Sequence, residues 1–561
     1  MVITAITLEN FKGIKGPCRI KLRPLTMLFG ANSAGKSSVV QGLHYAREIF
    51  LRQNTDPDKT LLGGSMDLGG FSSFVFNHDQ SLPIKIAFDL DLSTDPLPDY
   101  YDDNDLRYWE WEQNELKEAV GRVETATVSI KVQVIEEERN SPFAGQAAIT
   151  EYEVKVNGEK LAKLGLVPGD EQVRLTLNPV NSIYWEDIKG RTKFARAIRQ
   201  AFDGKESDED QSDLDQGALL KYLLVDTEDD DEQGKDNGFS LSEGKILRDM
   251  KTPFPLWGRT LPLVDTFDFI NQGGEDDPLK VPSLIVSSCL TSLITGPGEM
   301  IRNDLERMCY LGPIREVPRR NNVEVKSPDL SRWANGLAAW DALYSQGDEL
   351  ITKTNHWLTS DKRLNSGYRI EFEVFRKLNE NGRLMAAIRS GRSLDVYQEE
   401  LDEIRAQKPE KRLYLLEEAK SIKVLPQDIG VGISQMLPVV VGAVVAENNI
   451  LAIEQPELHI HPKLQVGLGD LFIQEGASRS NCFIIETHSE HLMLRIMRRI
   501  RETFDNELPP GVAGLTSDQI AVYHVESKEE GTVFHHIRID ESGDFLDRWP
   551  EGFFEERDEE L

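Results

Sequence analysis

The stretch "LTMLFGANSAGKSSVVQGLHYAREIFLRQ", Leu25 to Gln53, decides the fold class. Leu25 to Phe29 read as a buried strand. From "SSVV" onward the apolar residues recur at helical spacing. Between them lies "GANSAGKSS", Gly30 to Ser38, which fits G-x-x-x-x-G-K-[ST]. A strand before and a helix after are the context that this motif requires. Glycines let backbone N–H groups turn toward an anion, and the helix start adds a favourable dipole. The pattern predicts a phosphate loop made of Gly30, Asn32, Ser33, Ala34, Gly35, Lys36, Ser37 and Ser38. Lys36 is expected on the β- and γ-phosphates of ATP, and the Ser37 hydroxyl on Mg²⁺.

At 561 residues the chain is long for one core, so two or three domains are expected. An apolar content of 39% and the lack of any apolar run of membrane-spanning length point to a soluble protein without a membrane partner. The start, "MVITAITLENF", lacks the basic and apolar regions of a secretory signal. Cys18, Cys289, Cys309 and Cys482 show no paired or metal-binding spacing, which suits a reducing, cytoplasmic compartment. The net charge of −31 argues against a surface that binds nucleic acid everywhere, because Lys and Arg drive phosphate binding. A local DNA contact stays open. Much of the acid lies in "DGKESDEDQSDLDQ" and "DTEDDDEQGKDNG", which read as solvated loops rather than a docking site.

Along the chain, "ITAITLENFKGI" suggests a strand and hairpin. "LPIKIAFDLDL", "TATVSIKVQVI" and "ITEYEVKV" alternate as strands of an antiparallel sheet do. "DVYQEELDEIRAQ" reads as a helix, and no heptads persist long enough for a coiled-coil arm. From Ser421 the pattern turns to strand, helix, strand, helix, which implies a parallel sheet with crossover helices.

Three further stretches carry chemistry. In "NILAIEQPELHIHP", Asn449 to Pro462, the apolar run Ile450 to Ile453 ends in Glu454, placed to hold Mg²⁺ directly or through water. In "FIIETHSEH", the strand Phe483 to Ile485 ends near His488, where parallel sheets bind ligands. His488 is therefore placed to sense a γ-phosphate. In "DIGVGISQMLP", Gly432, Ser434 and Gln435 precede a helical run and could bind phosphate at a helix start. His459 and His461 form an H-x-H pair, but no third ligand is nearby and metal binding is the lesser reading.

Taken together, these four stretches resemble the ABC-type ATPase superfamily, in its SMC-like and OLD-like branch. "GANSAGKSS" resembles Walker A, "VGISQ" the signature, "LAIEQPELHIHP" Walker B with the D-loop, and "IIETHSEH" the H-loop. The resemblance implies an α/β ATPase head with a mixed or parallel sheet flanked by helices. An N-terminal antiparallel β-region and a large inserted α/β region would complete it. The expected divisions are 1–95 and 421–500 for the two parts of the head, 96–305 for the insertion, 306–420 for a mixed region and 501–561 for a small C-terminal domain. More narrowly, "YLGPIREVPRR", "EQPELHIHP" and "DFLDRWPEGFFEE" look like bacterial antiphage ATPases with a C-terminal domain of unknown function. These include ATPase subunits of Septu and retron systems. That likeness implies an ATP-clamped homodimer working beside a separate HNH-type nuclease. A reverse transcriptase and its non-coding RNA would join it in a retron setting.

In the superfamily the residue after the Walker B acid is usually a catalytic glutamate. Here it is Gln455, which can hydrogen-bond water but cannot take its proton. Losing a general base typically removes about 10²–10⁴ in rate. Glu457 could stand in as base, turnover could be slow with ATP used as a clamp, or the glutamine could have been placed by design to trap ATP. Slow turnover is the expectation. Rival functions are a DNA-repair or recombination ATPase that clamps DNA, an autonomous nuclease and an ATP-bound scaffold. The 73 residues after His488 are too few for a Toprim nuclease domain as well as the tail. Phe11 and Lys12 are suggested as adenine contacts by position, and Gln80 as a weak Q-loop candidate. In the tail, Trp549, Pro550, Phe553 and Phe554 form an aromatic cluster that favours packing on the protein's own core.

Overall fold

A computed structural model describes residues 1–64, 66–100, 120–135, 145–167, 172–178, 181, 183, 245–247, 249–263, 280–320 and 329–549. Both acidic segments lie outside the described residues. In chain order the strands are β1 (Ile3–Glu9), β2 (Cys18–Lys21), β3 (Leu25–Gly30), β4 (Ile84–Asp91), β5 (Thr125–Val134), β6 (Ala147–Val156), β7 (Glu159–Leu166), β8 (Val173–Leu177) and β9 (Lys245–Leu247). They continue as β10 (Cys309–Leu311), β11 (Tyr368–Phe375), β12 (Glu410–Glu417), β13 (Ile422–Val424), β14 (Ile450–Glu454), β15 (Cys482–Glu486), β16 (Ile520–Lys528) and β17 (Gly531–Ile537). The helices are α1 (Ser37–Arg52), α2 (Phe71–Phe74), α3 (Lys280–Ile294), α4 (Gly296–Arg307), α5 (Leu337–Ser345) and α6 (Asp348–Thr359). After them come α7 (Arg383–Arg389), α8 (Gln398–Ala406), α9 (Val431–Val445), α10 (Pro462–Arg479) and α11 (Glu490–Phe504).

The chain divides into two compact units. One contains Met1–Met308, Ile520–Arg538 and Arg548–Leu561, and the other contains Cys309–Gln519 and Ile539–Asp547. In the first unit an antiparallel sheet runs β2-β1-β4-β5-β6-β7-β8-β9. Its strands place buried residues in alternation with more exposed ones, as in β4 with Ile84, Ile86, Phe88 and Leu90 buried. Helix α1 lies against β1 through Gly42, where a Cβ would stand 2.6 Å from a methyl of Leu8. The helix is tied to α4 by Arg47, whose Nε donates to Leu305 O at 3.0 Å. Strand β3 is buried at every position and pairs in parallel with β16, Leu25 opposite Ile520 and Gly30 opposite Val525. Strand β17 then pairs antiparallel with β16.

In the second unit β10, β14 and β15 form a parallel sheet in that order. Their near-continuous apolar runs suit strands covered on both faces. A smaller antiparallel sheet has the order β11-β12-β13. The mixed α/β architecture is the expected one. The divisions differ from those expected. The boundary near residue 95 falls inside one sheet, because β4 pairs with β1 on one side and β5 on the other. Strands β16 and β17 fall in the first unit, while Ile539–Asp547 belong to the second. No helix among the described residues is long and apolar enough to cross a membrane.

Candidate functional site

The first group of residues is the loop between β3 and α1. Gly30 and Gly35 hold φ of +139° and +100°, and Ser33 holds +62°. Such values are open to glycine and strained for most other residues. Gly30 is also crowded, since a Cβ there would stand 2.2 Å from the Val525 carbonyl oxygen. Ala31, Asn32 and Ser33 are exposed, whereas Ala34 and Ser38 are buried. Lys36 is 3% exposed. Its Nζ turns back into the loop and donates to Gly30 O at 3.0 Å and Ala31 O at 2.9 Å. Ser37 opens α1, so the helix start and its N–H groups face the same loop. A lysine ammonium within a loop of glycines at positive φ at a helix start fits a polyphosphate.

The suggested adenine contacts separate. Phe11 is fully buried and stacks on Tyr45, with ring centroids 5.8 Å apart, so it belongs to the core. Lys12 is half-buried, and burial lowers its ammonium pKa against the opposing pull of Asp67. Gln80 lies exposed in a turn. Of the tail cluster, Trp549 packs edge-on against Phe29 at 5.5 Å, while Pro550, Phe553 and Phe554 lie outside the described residues.

The second group lies in the other unit, at the C-terminal ends of β14 and β15. Glu454 Oε1 accepts a hydrogen bond from the Tyr310 hydroxyl at 3.0 Å. Burial, and then the Glu454 charge, raise the Tyr310 phenol well above its ordinary value. Gln455 turns the chain at φ +44°, and its N–H donates to Glu486 O at 2.7 Å. Glu457 then reaches across to β15. Its Oε1 accepts from His488 N at 2.7 Å and its Oε2 from Thr487 Oγ1 at 2.8 Å. Burial raises the Glu457 carboxyl above its ordinary value, outweighing these hydrogen bonds and the attraction of Arg315. Glu454, Gln455, Glu457 and His488 are thus brought together by two neighbouring parallel strands.

Arg315 is the residue that sequence reasoning missed. It is 2% exposed, and its Nη2 donates to Glu454 O at 2.7 Å. Burial pushes its pKa down to about 10, with Glu457, Tyr310 and Glu454 pulling the other way. Its main chain is bonded to the start of α9. Arg315 N donates to Gln435 Oε1 at 3.0 Å, and Gln435 Nε2 donates to Arg315 O at 2.6 Å. Gln435, expected at a phosphate, therefore has its amide engaged within the chain. Ser434 is 4% exposed, with Oγ donating to Val431 O at 2.9 Å. Gly432 lies against the segment that follows β14, where a Cβ would stand 2.9 Å from His459 O. Gly430 and Val431 form the exposed part of this helix start.

His461 caps α10, its Nδ1 accepting from Lys463 N at 3.2 Å, while His459 is exposed at φ +61°. Among the described residues no group of His, Cys, Asp and Glu could hold a metal ion by itself.

No curated protein matches the chain. Solved SMC heads are similar to it at 8% identity. One is an SmcHead bound to the C-winged helix domain of ScpA, with 96% of this chain and 98% of that chain covered at a TM-score of 0.35. Another is the SMC head domain from Thermotoga maritima, with 96% and 100% covered at 0.34. A family of unknown function, DUF3696, matches residues 515–561. The AAA ATPase domain model matches residues 1–163 and 348–493, which take in the phosphate loop and both carboxylate-bearing strands. That match runs over more than half of the chain, and the protein belongs to the AAA ATPase domain family.

Proposed function

We propose that the protein is a cytoplasmic ATP-driven clamp of bacterial antiphage defence: a homodimer that holds ATP, hydrolyses it slowly and regulates a separate nuclease. The observation that carries the nucleotide reading is Lys36, buried in a glycine loop with its ammonium on Gly30 O and Ala31 O. Those carbonyl bonds keep the ammonium inside the loop, where phosphate oxygens would exchange for them. Lys36 then neutralises charge, the loop N–H groups orient the phosphates, and the α1 dipole favours the anion. Mg²⁺ would accompany the triphosphate, and the motif gives the Ser37 hydroxyl beside Lys36 to hold it.

Slow turnover rests on the second group. Gln455 can orient a water but cannot remove its proton. Glu457 could accept one, and burial makes it more basic. Both of its oxygens already accept hydrogen bonds from the H-loop. That engagement favours a bracing role and supports the clamp reading. In the dimer, ATP on Lys36 of one copy would meet the Ser434 helix start of the other. Contacts made only in the closed state are what let a ligand shift the equilibrium. The nuclease partner rests on the resemblance of "YLGPIREVPRR" and the tail to Septu-type and retron-associated ATPases.

Lys36→Ala is expected to abolish ATP binding in equilibrium titration, and unchanged affinity would refute the nucleotide site. Val431→Arg, on the exposed part of the Ser434 helix start, is expected to leave the fold and ATP binding intact while preventing ATP-dependent association in light scattering. Association that survives this change would refute the signature role.

A further inference from the structure

The hairpin β16–β17 reaches the phosphate loop at a point that the nucleotide motif does not explain. Gly531 and Thr532, at the start of β17, fit between the loop and the turn that follows β1. Thr532 N donates to Gly13 O at 2.6 Å. A Cβ on Gly13 would stand 2.4 Å from Thr532 Oγ1, and one on Gly35 would stand 2.7 Å from the same oxygen. Gly531, at φ +129°, presses on the same turn, since a Cβ there would stand 2.8 Å from Gly13 O. Two glycines, Gly13 and Gly35, thus converge on one β-branched side chain, which is stiff about χ1. Behind the loop, β16 crowds Gly30 through Val525, and Trp549 packs edge-on against Phe29.

We propose that Thr532 is a positioning residue for the nucleotide. The C-terminal hairpin wedges Gly35 in place and so fixes Lys36 and the loop N–H groups in the arrangement that receives the triphosphate. The segment matched by the family of unknown function thereby becomes part of the nucleotide machinery, through its contact with Gly35 of the loop. This inference rests on the ATP reading. Close-packed interiors transmit small displacements. A shift of about 1 Å in a binding group far from the chemistry can cost on the order of a hundredfold.

The test is equilibrium titration of the full chain with Mg-ATP, beside nucleotide-free thermal melting. Thr532→Ala removes the wedge, and Gly13→Ala pushes Thr532 Oγ1 toward Gly35. Each is expected to weaken ATP binding about tenfold, equivalent to ~1.4 kcal/mol. Thr532→Ser keeps the oxygen and should restore most of the affinity. The double variant Gly13→Ala/Thr532→Ala gives the added methyl room. It should bind no worse than Thr532→Ala alone, whereas independent sites would multiply to about a hundredfold. Wild-type affinity in folded Thr532→Ala and Gly13→Ala, with Lys36→Ala inactive, would overturn the proposal and leave the ATP reading standing. So would single variants that only lower the nucleotide-free melting temperature. Undiminished binding by Lys36→Ala would overturn the ATP reading and the proposal with it.

Discussion

Arg315 shows how one residue can join two elements. Its side chain holds the end of β14 through Glu454 O, and its main chain holds the start of α9 through the Gln435 amide. A hydrogen bond from a charged donor typically contributes about 1.5–3 kcal/mol. Arg315→Ala is therefore expected to lower unfolding stability by about 2–3 kcal/mol in urea titration; a loss below about 0.5 kcal/mol, the scale of surface changes, would refute the coupling. Glu457 gives a pH signature. Its folded pKa lies above the ordinary value of 4.5, so the folded state holds its proton more tightly than the unfolded chain does. Its contribution is full below 4.5 and is lost as pH rises through the folded pKa. Glu457→Gln should flatten that part of the stability–pH profile and raise the melting temperature at neutral pH. An unchanged profile would contradict the burial argument. The places of Glu454, Gln455 and His488 at strand ends were legible because the first two close one apolar run and the third lies three residues beyond another. Arg315 was not, because its partners Gln435 and Glu454 lie 120 and 139 residues away and nothing local marks the contact.

At the scale of elements, β3, α1, β14 and β15 were readable from apolar runs and helical spacing. The alternation of β4, β5 and β6 likewise announced an antiparallel sheet. Hidden were the distant pairings, above all β16 beside β3. Parallel pairing over such a separation leaves no local pattern, yet it explains why position 30 is glycine. Gly30→Ala would meet both a strained φ and the Val525 carbonyl. It is expected to destabilise by at least about 1–3 kcal/mol and to abolish ATP binding; normal binding would mean that β16 yields easily. Helix α1 carries a second pH signal. Burial, and then the nearby Arg47 charge, push His44 down to about 3 from 6.5. Its contribution is full above 6.5 and is lost as pH falls toward 3, because the unfolded chain takes up a proton that the folded chain refuses. Melting measured across that window should show the fall, and His44→Gln should reduce the slope.

Across the whole molecule, the order of motifs was legible and the division into units was not. The first unit is assembled from three separate stretches and the second from two. Sequence boundaries drawn where composition changes could not find them, because a strand contributed from the far end of the chain resembles any other strand. The central claim is an ATP clamp slowed by a glutamine where a base would stand, and single-turnover hydrolysis tests it most directly. Wild-type protein should turn over well below the enzyme median of about 10 s⁻¹. Gln455→Glu should raise the rate, by up to the roughly 10²–10⁴ that a general base supplies. It should also shorten the life of the ATP-bound dimer. Fast wild-type hydrolysis that survives Glu457→Gln, or a Gln455→Glu rate no higher than wild type with Glu457→Gln inactive, would contradict the claim.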